Sequence, residues 1–245
     1  NHPETKKSLS QQLTDEIILS LEAVRNESSI RGITFRGEGG VFCSGGDLKS
    51  FKFGLQGGDK DLSDVERMSE KTGEFFELIN SFPKPTIMLA EGAAMAGGLG
   101  MLCAADIVVV TSDCKFALTE TTLGIVPAQI APLIVSRVGL SKARKLMLTA
   151  SRFHGKEASE YGIADFVTDN SNELRTVESE IKKNIYKCAP GANSITKEIV
   201  LATRKLEGDV LRKFAAKGFA KAMMSDEGKE GIAAFVEKRK PKWSE

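Results

Sequence analysis

Two glycine-rich segments constrain this chain more than any other feature. The first is Phe42-Cys43-Ser44-Gly45-Gly46-Asp47-Leu48, and the second is Gly92-Ala93-Ala94-Met95-Ala96-Gly97-Gly98-Leu99-Gly100. Each follows a short apolar run that reads as a strand, and each leads into helix-like sequence. Glycine has no Cβ, so backbone N–H groups in such turns can come close to a ligand. Two N–H groups from separate segments can hold one oxygen that gains negative charge, an oxyanion-hole arrangement. The pattern points to chemistry on a carbonyl, and a thioester fits it.

Strand, glycine turn, helix and strand recur through the first two thirds of the chain, which predicts an α/β fold with crossover connections. Ser10 reads as the N-cap of a helix over 11–25. Residues 30–36 alternate as a strand, and Gly37-Glu38-Gly39-Gly40 then breaks regular structure. Residues 54–61 are rich in Gly and Asp and read as a mobile loop. A long amphipathic helix follows, with Leu62, Val65, Met68, Thr72, Phe75, Phe76 and Ile79 at three- and four-residue steps, ended by Pro83 and Pro85. Strands are predicted over 86–90 and 106–111, the latter nearly all apolar and so buried on both faces. Helices are predicted over 141–149 and 156–161, and a last strand over 163–167. Beyond it come helices over 172–188, 193–205, 210–223 and 226–238, the last capped by Ser225. This divides the chain into an α/β core over 1–170 and a helical region over 171–245.

Composition narrows the function classes. With 41% hydrophobic and 27% charged residues among 245, the chain is ordinary globular sequence. A net charge of +1 gives no reason to expect nucleic acid or a membrane surface as the main partner. No stretch approaches the roughly 18 apolar residues of a membrane span. Cys43, Cys103, Cys114 and Cys188 match no zinc or redox spacing, so four reduced thiols are expected, as in a cytosol-like compartment. The chain opens on Asn1 with no initiator Met, so a preceding segment is expected; a cytoplasmic location is the first expectation and an organelle stays open. His2 and His154 have no i, i+4 metal partner, and His154, between Phe153 and Gly155, reads as a surface or capping residue. No metal site is expected.

The candidate chemistry rests on few residues. In the first segment the Ser44 N–H could donate to a carbonyl oxygen, or the segment could be a plain turn with Asp47 as a cap. A dinucleotide site is disfavoured, because Gly37 and Gly39 are followed by Phe42 where GxGxxG needs glycine, and no GxxxxGK[ST] loop occurs. If Gly97 starts a helix, its N–H is one of the unpaired donors of the first turn, and the helix dipole adds positive potential there. The alternative is close packing through small residues. Glu120 stands between apolar segments and is followed by Gly124 and Pro127. In an apolar pocket it would have a raised pKa and could shuttle a proton; otherwise it is a loop glutamate paired with Lys or Arg. Glu91, the rival carboxylate, suits a structural role. A serine hydrolase using Ser44 finds no suitably placed histidine and no GxSxG elbow.

At these residues the chain resembles the enoyl-CoA hydratase/isomerase (crotonase) family over nearly its whole length. Residues 42–48 are similar to the family's first oxyanion motif and residues 91–98 to its second. Residues 103–107, 116–127, 148–164 and 235–241 continue the pattern. The resemblance implies a spiral of ββα units with a helical tail used for trimerisation, so a homotrimer or a hexamer of two trimers is expected. It implies an acyl-CoA thioester substrate, with coenzyme A entering as part of the substrate and no separate cofactor. It places the thioester oxygen on the N–H groups of Ser44 and Gly97 and the proton on Glu120, with Cys43, Gly45, Asp47, Leu48, Gly98, Gly100 and Gln129 about the substrate. Lys6, Lys7 and Lys238 are the expected partners of the CoA phosphates.

One departure matters. Hydratases of the family have a second glutamate after the second glycine segment, and here that position is Gly100, which would leave space in the pocket. Two carboxylates can divide the work of hydration, while one suffices to move a double bond. Residues 127–132, Pro-Ala-Gln-Ile-Ala-Pro, resemble instead a branch that hydrates branched glutaconyl-type thioesters, where Gln129 could hold water or a carboxylate. Hydration of a 2-enoyl thioester is the first expectation, isomerisation the second, and acyl-CoA binding without turnover the third.

Overall fold

A computed structural model describes residues 2–48, 52 and 61–244. The loop expected over 54–61 lies outside these except for Asp61, which caps the following helix by accepting from the Asp64 N–H at 3.0 Å. Seven strands occur among the described residues: β1 (Ile33–Arg36), β2 (Thr86–Ala90), β3 (Ala93–Met95), β4 (Ile107–Thr111), β5 (Lys115–Ala117), β6 (Arg152–His154) and β7 (Phe166–Thr168). The α-helices whose bounds lie among the described residues are α1 (Gln11–Val24), α2 (Leu62–Ser81), α3 (Gly97–Ala104), α4 (Ala131–Val138), α5 (Leu140–Thr149), α6 (Gly155–Tyr161), α7 (Ser171–Lys187), α8 (Pro190–Ala202), α9 (Gly208–Met224) and α10 (Asp226–Val236).

The strands build two sheets. One is parallel, in the order β1-β2-β4-β7; the other runs β3-β5-β6, with β3 and β5 parallel and β6 antiparallel. Consecutive strands are dealt out between them, β2 and β4 to the first and β3 and β5 to the second. Gly92 makes the step from β2 to β3. It holds φ +70°, and a Cβ there would stand 2.0 Å from the Gly40 carbonyl oxygen, so no other residue fits.

The α/β expectation holds, and the buried parallel strands explain why. All five residues of β2 are buried, and they alternate between two clusters. Met88 and Ala90 join Phe75, Phe76, Ile79, Leu99 and Leu102 on one face. Ile87 and Leu89 meet Val109, Leu174 and Ile181 on the other, where α7 covers the sheet.

Several expectations shift. The strand expected from residue 30 starts at Ile33, and the one expected over 163–167 lies at Phe166–Thr168. The short strands β3, β5 and β6 escaped the periodicity reading, because three residues carry no recognisable period, and the helix α4 was not anticipated either. The expected amphipathic helix is α2; of its apolar stripe Phe75, Phe76 and Ile79 are buried, while Leu62 and Met68 are exposed. Its partner α3 is eight residues long, about 12 Å, against about 30 Å for α2. Toward the middle of α2, Ser69 and Gly73 meet Gln129 rather than α3.

Candidate active site

The strand register brings three chain segments to one edge. Cys43 forms a parallel bridge with Ala94, and Ala94 pairs in parallel with Phe116. The bridge is made by the Cys43 N–H donating to the Ala93 carbonyl and the Met95 N–H donating to that of Cys43, both at 3.0 Å; the Ala96 N–H then donates to the Ala117 carbonyl at 2.8 Å. Three chains running in the same direction leave at the same end. Residues 44–47, residues 96–98 and residues 118–120 therefore emerge together. Gly45, at φ +103°, is close enough to the second segment that a Cβ on it would meet Ala96 Cβ and the Met95 oxygen at 3.2 Å each.

The second segment presents free donors, as expected. Ala96 precedes α3 with φ 47° and ψ −117°, a conformation an L residue rarely adopts. The first helical bond of α3 runs from the Gly100 N–H to the Ala96 carbonyl at 3.0 Å, so the N–H groups of Gly97, Gly98 and Leu99 have no acceptor among the described residues. Gly98 packs flush against Cys43, whose Cβ would lie 2.8 Å from an added Cβ.

The first segment requires a correction. The Ser44 N–H donates to the Lys6 carbonyl at 3.0 Å, and its hydroxyl donates to the Thr5 carbonyl at 3.2 Å. Ser44 is exposed, and its amide is committed away from the second segment. The N–H left without an acceptor among the described residues is that of Gly46, two positions on. The Gly45-Gly46 doublet was the available signal. Cys43 is buried, its thiol pushed up to about 11 by burial, and the Gly45 N–H points at its sulfur at 3.4 Å. Asp47 is half-buried, and Leu48 is exposed.

Glu120 opens a short 3-10 turn, Glu120–Leu123, closed by Gly124 at φ +73°. The carboxyl is buried, its Oε2 finds no partner, and it makes no ion pair among the described residues. Burial raises its pKa above the ordinary 4.5, opposed only in part by a bond from its own backbone. A buried acid with one oxygen unpartnered, at the edge where free N–H groups emerge, is the arrangement a proton shuttle needs. Glu91, by contrast, is structural. Burial alone would raise its pKa, but the Ser171 hydroxyl and the Arg36 guanidinium, 2.8 Å away, hold it below the ordinary value.

Gly100 does not leave a vacant space. A Cβ built there would lie 2.3 Å from Ile130 Cγ2 and 2.9 Å from Ile130 Cβ, so the isoleucine fills the place a second carboxylate would need. Gln129 faces away from this point. Its amide nitrogen donates to the Ser69 hydroxyl at 3.0 Å, and its oxygen lies against Gly73 on α2.

The three lysines are not gathered. Lys6 is exposed near the first segment, at φ 52°. Lys7 is buried, and its ammonium donates to the Glu38 carbonyl, which corrects its expected phosphate role. Lys238 is exposed after α10, where the following residues dock through Trp243 on the end of α7 and beside Arg31. Arg31 leads into the start of β1, whereas the first glycine segment follows the other end of that strand. His154 is exposed and precedes α6, its N–H donating to Glu157 at 2.9 Å, as a capping position would. No group of three metal-ligating side chains occurs among the described residues, and no described helix is long and apolar enough to cross a membrane.

The family model for enoyl-CoA hydratase/isomerase matches residues 1–245. The chain belongs to the enoyl-CoA hydratase/isomerase family. It is 30% identical to the "Probable enoyl-CoA hydratase" of Bacillus subtilis (strain 168) over 99% of this chain and 92% of that protein. Among solved structures, Pseudomonas aeruginosa AtuE superposes with a TM-score of 0.95 at 38% identity. An enoyl-CoA hydratase/isomerase from Marinobacter aquaeolei superposes with the same TM-score at 34% identity. Each comparison covers 100% of this chain and 94% of the other. The expected crotonase fold is therefore the fold of this chain, and the dealing of strands between two sheets is its ββα spiral.

Proposed function

We propose that this member of the family hydrates a 2-enoyl-CoA thioester with Glu120 as its single acid–base group. The observation that carries the reading is the buried, unpartnered Glu120 Oε2 at the edge where the N–H groups of Gly97 and Gly46 have no acceptor among the described residues. The thioester oxygen accepts from Gly97 and Gly46, which draws electron density from the β-carbon. Ionised Glu120 takes a proton from water as the water oxygen bonds to that carbon, and the electron pair of the double bond moves onto the thioester as an enolate. Protonated Glu120 then delivers the proton to the α-carbon, giving a 3-hydroxyacyl thioester and restoring the carboxylate. One carboxylate closes the cycle, and coenzyme A takes part only as the substrate's carrier.

A second reading has its own observation. Ile130 over Gly100 leaves no second carboxylate to hold water, which favours movement of a double bond from the 3- to the 2-position by Glu120 alone. Incubation with crotonyl-CoA, 3-methylglutaconyl-CoA and a 3-enoyl-CoA, followed by absorbance of the conjugated thioester, separates these. Loss from a 2-enoyl substrate supports hydration. Gain from the 3-enoyl substrate without loss elsewhere replaces it with isomerisation. Tight binding without change in any of the three leaves a binding protein.

The tail supports a homo-oligomer as the working form, since Phe219, Met224, Phe235 and Val236 on α9 and α10 are all well exposed. A trimer, alone or paired into a hexamer, is the arrangement proposed.

A further inference from the structure

We infer that Phe76 is a partition that sets how long an acyl chain the site accepts, an inference that rests on the acyl-thioester reading above. Its ring stands against α3 beside the proposed oxyanion donor. A Cβ on Gly97 would lie 3.7 Å from Phe76 Cζ, and one on Gly100 would lie 3.4 Å from Cε1, so the ring spans the first turn of the helix. Phe76 also borders a groove of about 830 Å³ between α2, α4 and α8, together with Pro132, Leu133, Leu201 and Phe214. The ring is 2% exposed and packs against Phe75, 5.3 Å between centroids, which holds it in place. One side chain thus stands between the glycine proposed to receive the thioester and a large groove that is partly apolar and also carries Glu74, Lys197 and Arg204. A chain growing from Gly97 toward α2 meets the ring, and removing the ring opens a way into the groove.

The test is a ladder of saturated acyl-CoA ligands, butyryl to decanoyl, titrated by calorimetry into the wild type, Phe76→Leu and Phe76→Ala, with circular dichroism to establish folding. The wild type should bind butyryl-CoA more tightly than decanoyl-CoA. Phe76→Ala should shift the ratio of the two dissociation constants toward decanoyl by about tenfold or more, since each methylene accommodated in an apolar space is worth a factor of that order. Phe76→Leu should shift it in the same direction by less, and carries the test if the alanine variant does not fold. An unchanged ratio in a folded variant, or a wild type indifferent to chain length, overturns the partition. Turnover of crotonyl-CoA, 3-methylglutaconyl-CoA and a 3-enoyl-CoA is measured in parallel. Silence with all three alongside a shifted ladder overturns the enzymatic reading and leaves the partition standing.

Discussion

Ile130 occupies the space that any side chain at position 100 would require, its Cγ2 lying 2.3 Å from where a Cβ on Gly100 would be. The two residues form one unit, a glycine and the isoleucine that seals it. Gly100→Glu alone should therefore destabilise the fold by about 1–3 kcal/mol through overpacking and lose whatever activity the wild type has. Gly100→Glu with Ile130→Ala should recover part of that stability, because the Cγ2 in sharpest conflict is gone and only the Cβ contact at 2.9 Å remains to be relieved. Thermal melts of the two single variants and the double variant measure the coupling directly. Additive losses in the double variant would break the pairing.

The contrast between Gly97 and Gly98 gives a second prediction. A Cβ at Gly97 meets the end of the Leu9 side chain at 2.9 Å, which can move aside. A Cβ at Gly98 meets Cys43 Cβ at 2.8 Å and its carbonyl oxygen at 3.0 Å, and that backbone is fixed in the bridge to β3. Gly98→Ala should push the two glycine segments apart and, if they form the proposed oxyanion site, lower kcat by about tenfold or more, as loss of one oxyanion donor costs on the order of a hundredfold. Gly97→Ala should lose less. Steady-state kinetics on the substrate identified by the thioester assay decides it, and equal losses would argue against the packing account.

How far the sequence could be read follows from where the information lies. The free N–H of Gly97 and the buried carboxyl of Glu120 were legible because a glycine turn before a helix and a carboxylate in apolar sequence are local patterns. The free N–H of the first segment lies two residues beyond the one expected, since the Lys6 carbonyl that engages the Ser44 N–H arrives from 38 positions away. Lys7 reads as a surface cation but is buried against Glu38, again a contact between distant segments. Gly100 was read as open space for the same reason, because Ile130 comes from the turn before α4. Local chemistry is written in the motif, whereas its neighbours are set by the spiral.

Glu120 gives a third prediction in which activity and stability move oppositely. Its neutral form is favoured by burial, so the folded-state pKa lies above the ordinary 4.5. The mechanism starts from the carboxylate, and activity should rise with pH through that raised pKa. Stability has the other sign. Between 4.5 and the raised value the unfolded chain ionises first and binds fewer protons, so the folded state loses stability as pH rises through that window. Glu120→Gln should lower the rate by about a hundredfold or more and should melt higher than the wild type above the window. The melting difference should vanish below pH 4.5. A glutamine variant with wild-type turnover would remove Glu120 from the mechanism.

The helical tail carries the last prediction. Phe235 is 85% exposed and Phe219 67%, on the neighbouring helices α10 and α9. Exposed aromatic residues on adjacent helices mark a surface that another copy of the chain can cover, and burying one such side chain is worth about 1.5–3 kcal/mol. Phe219→Glu and Phe235→Glu together should weaken self-association by a hundredfold or so, because each charge must also be desolvated. Sedimentation velocity across a concentration series would show the wild type as one species heavier than the 26.5 kDa chain, and the double variant shifted toward the monomer. Circular dichroism should be unchanged, since neither ring belongs to the core. A wild type that sediments as a monomer at all concentrations would leave the tail without an assembly role.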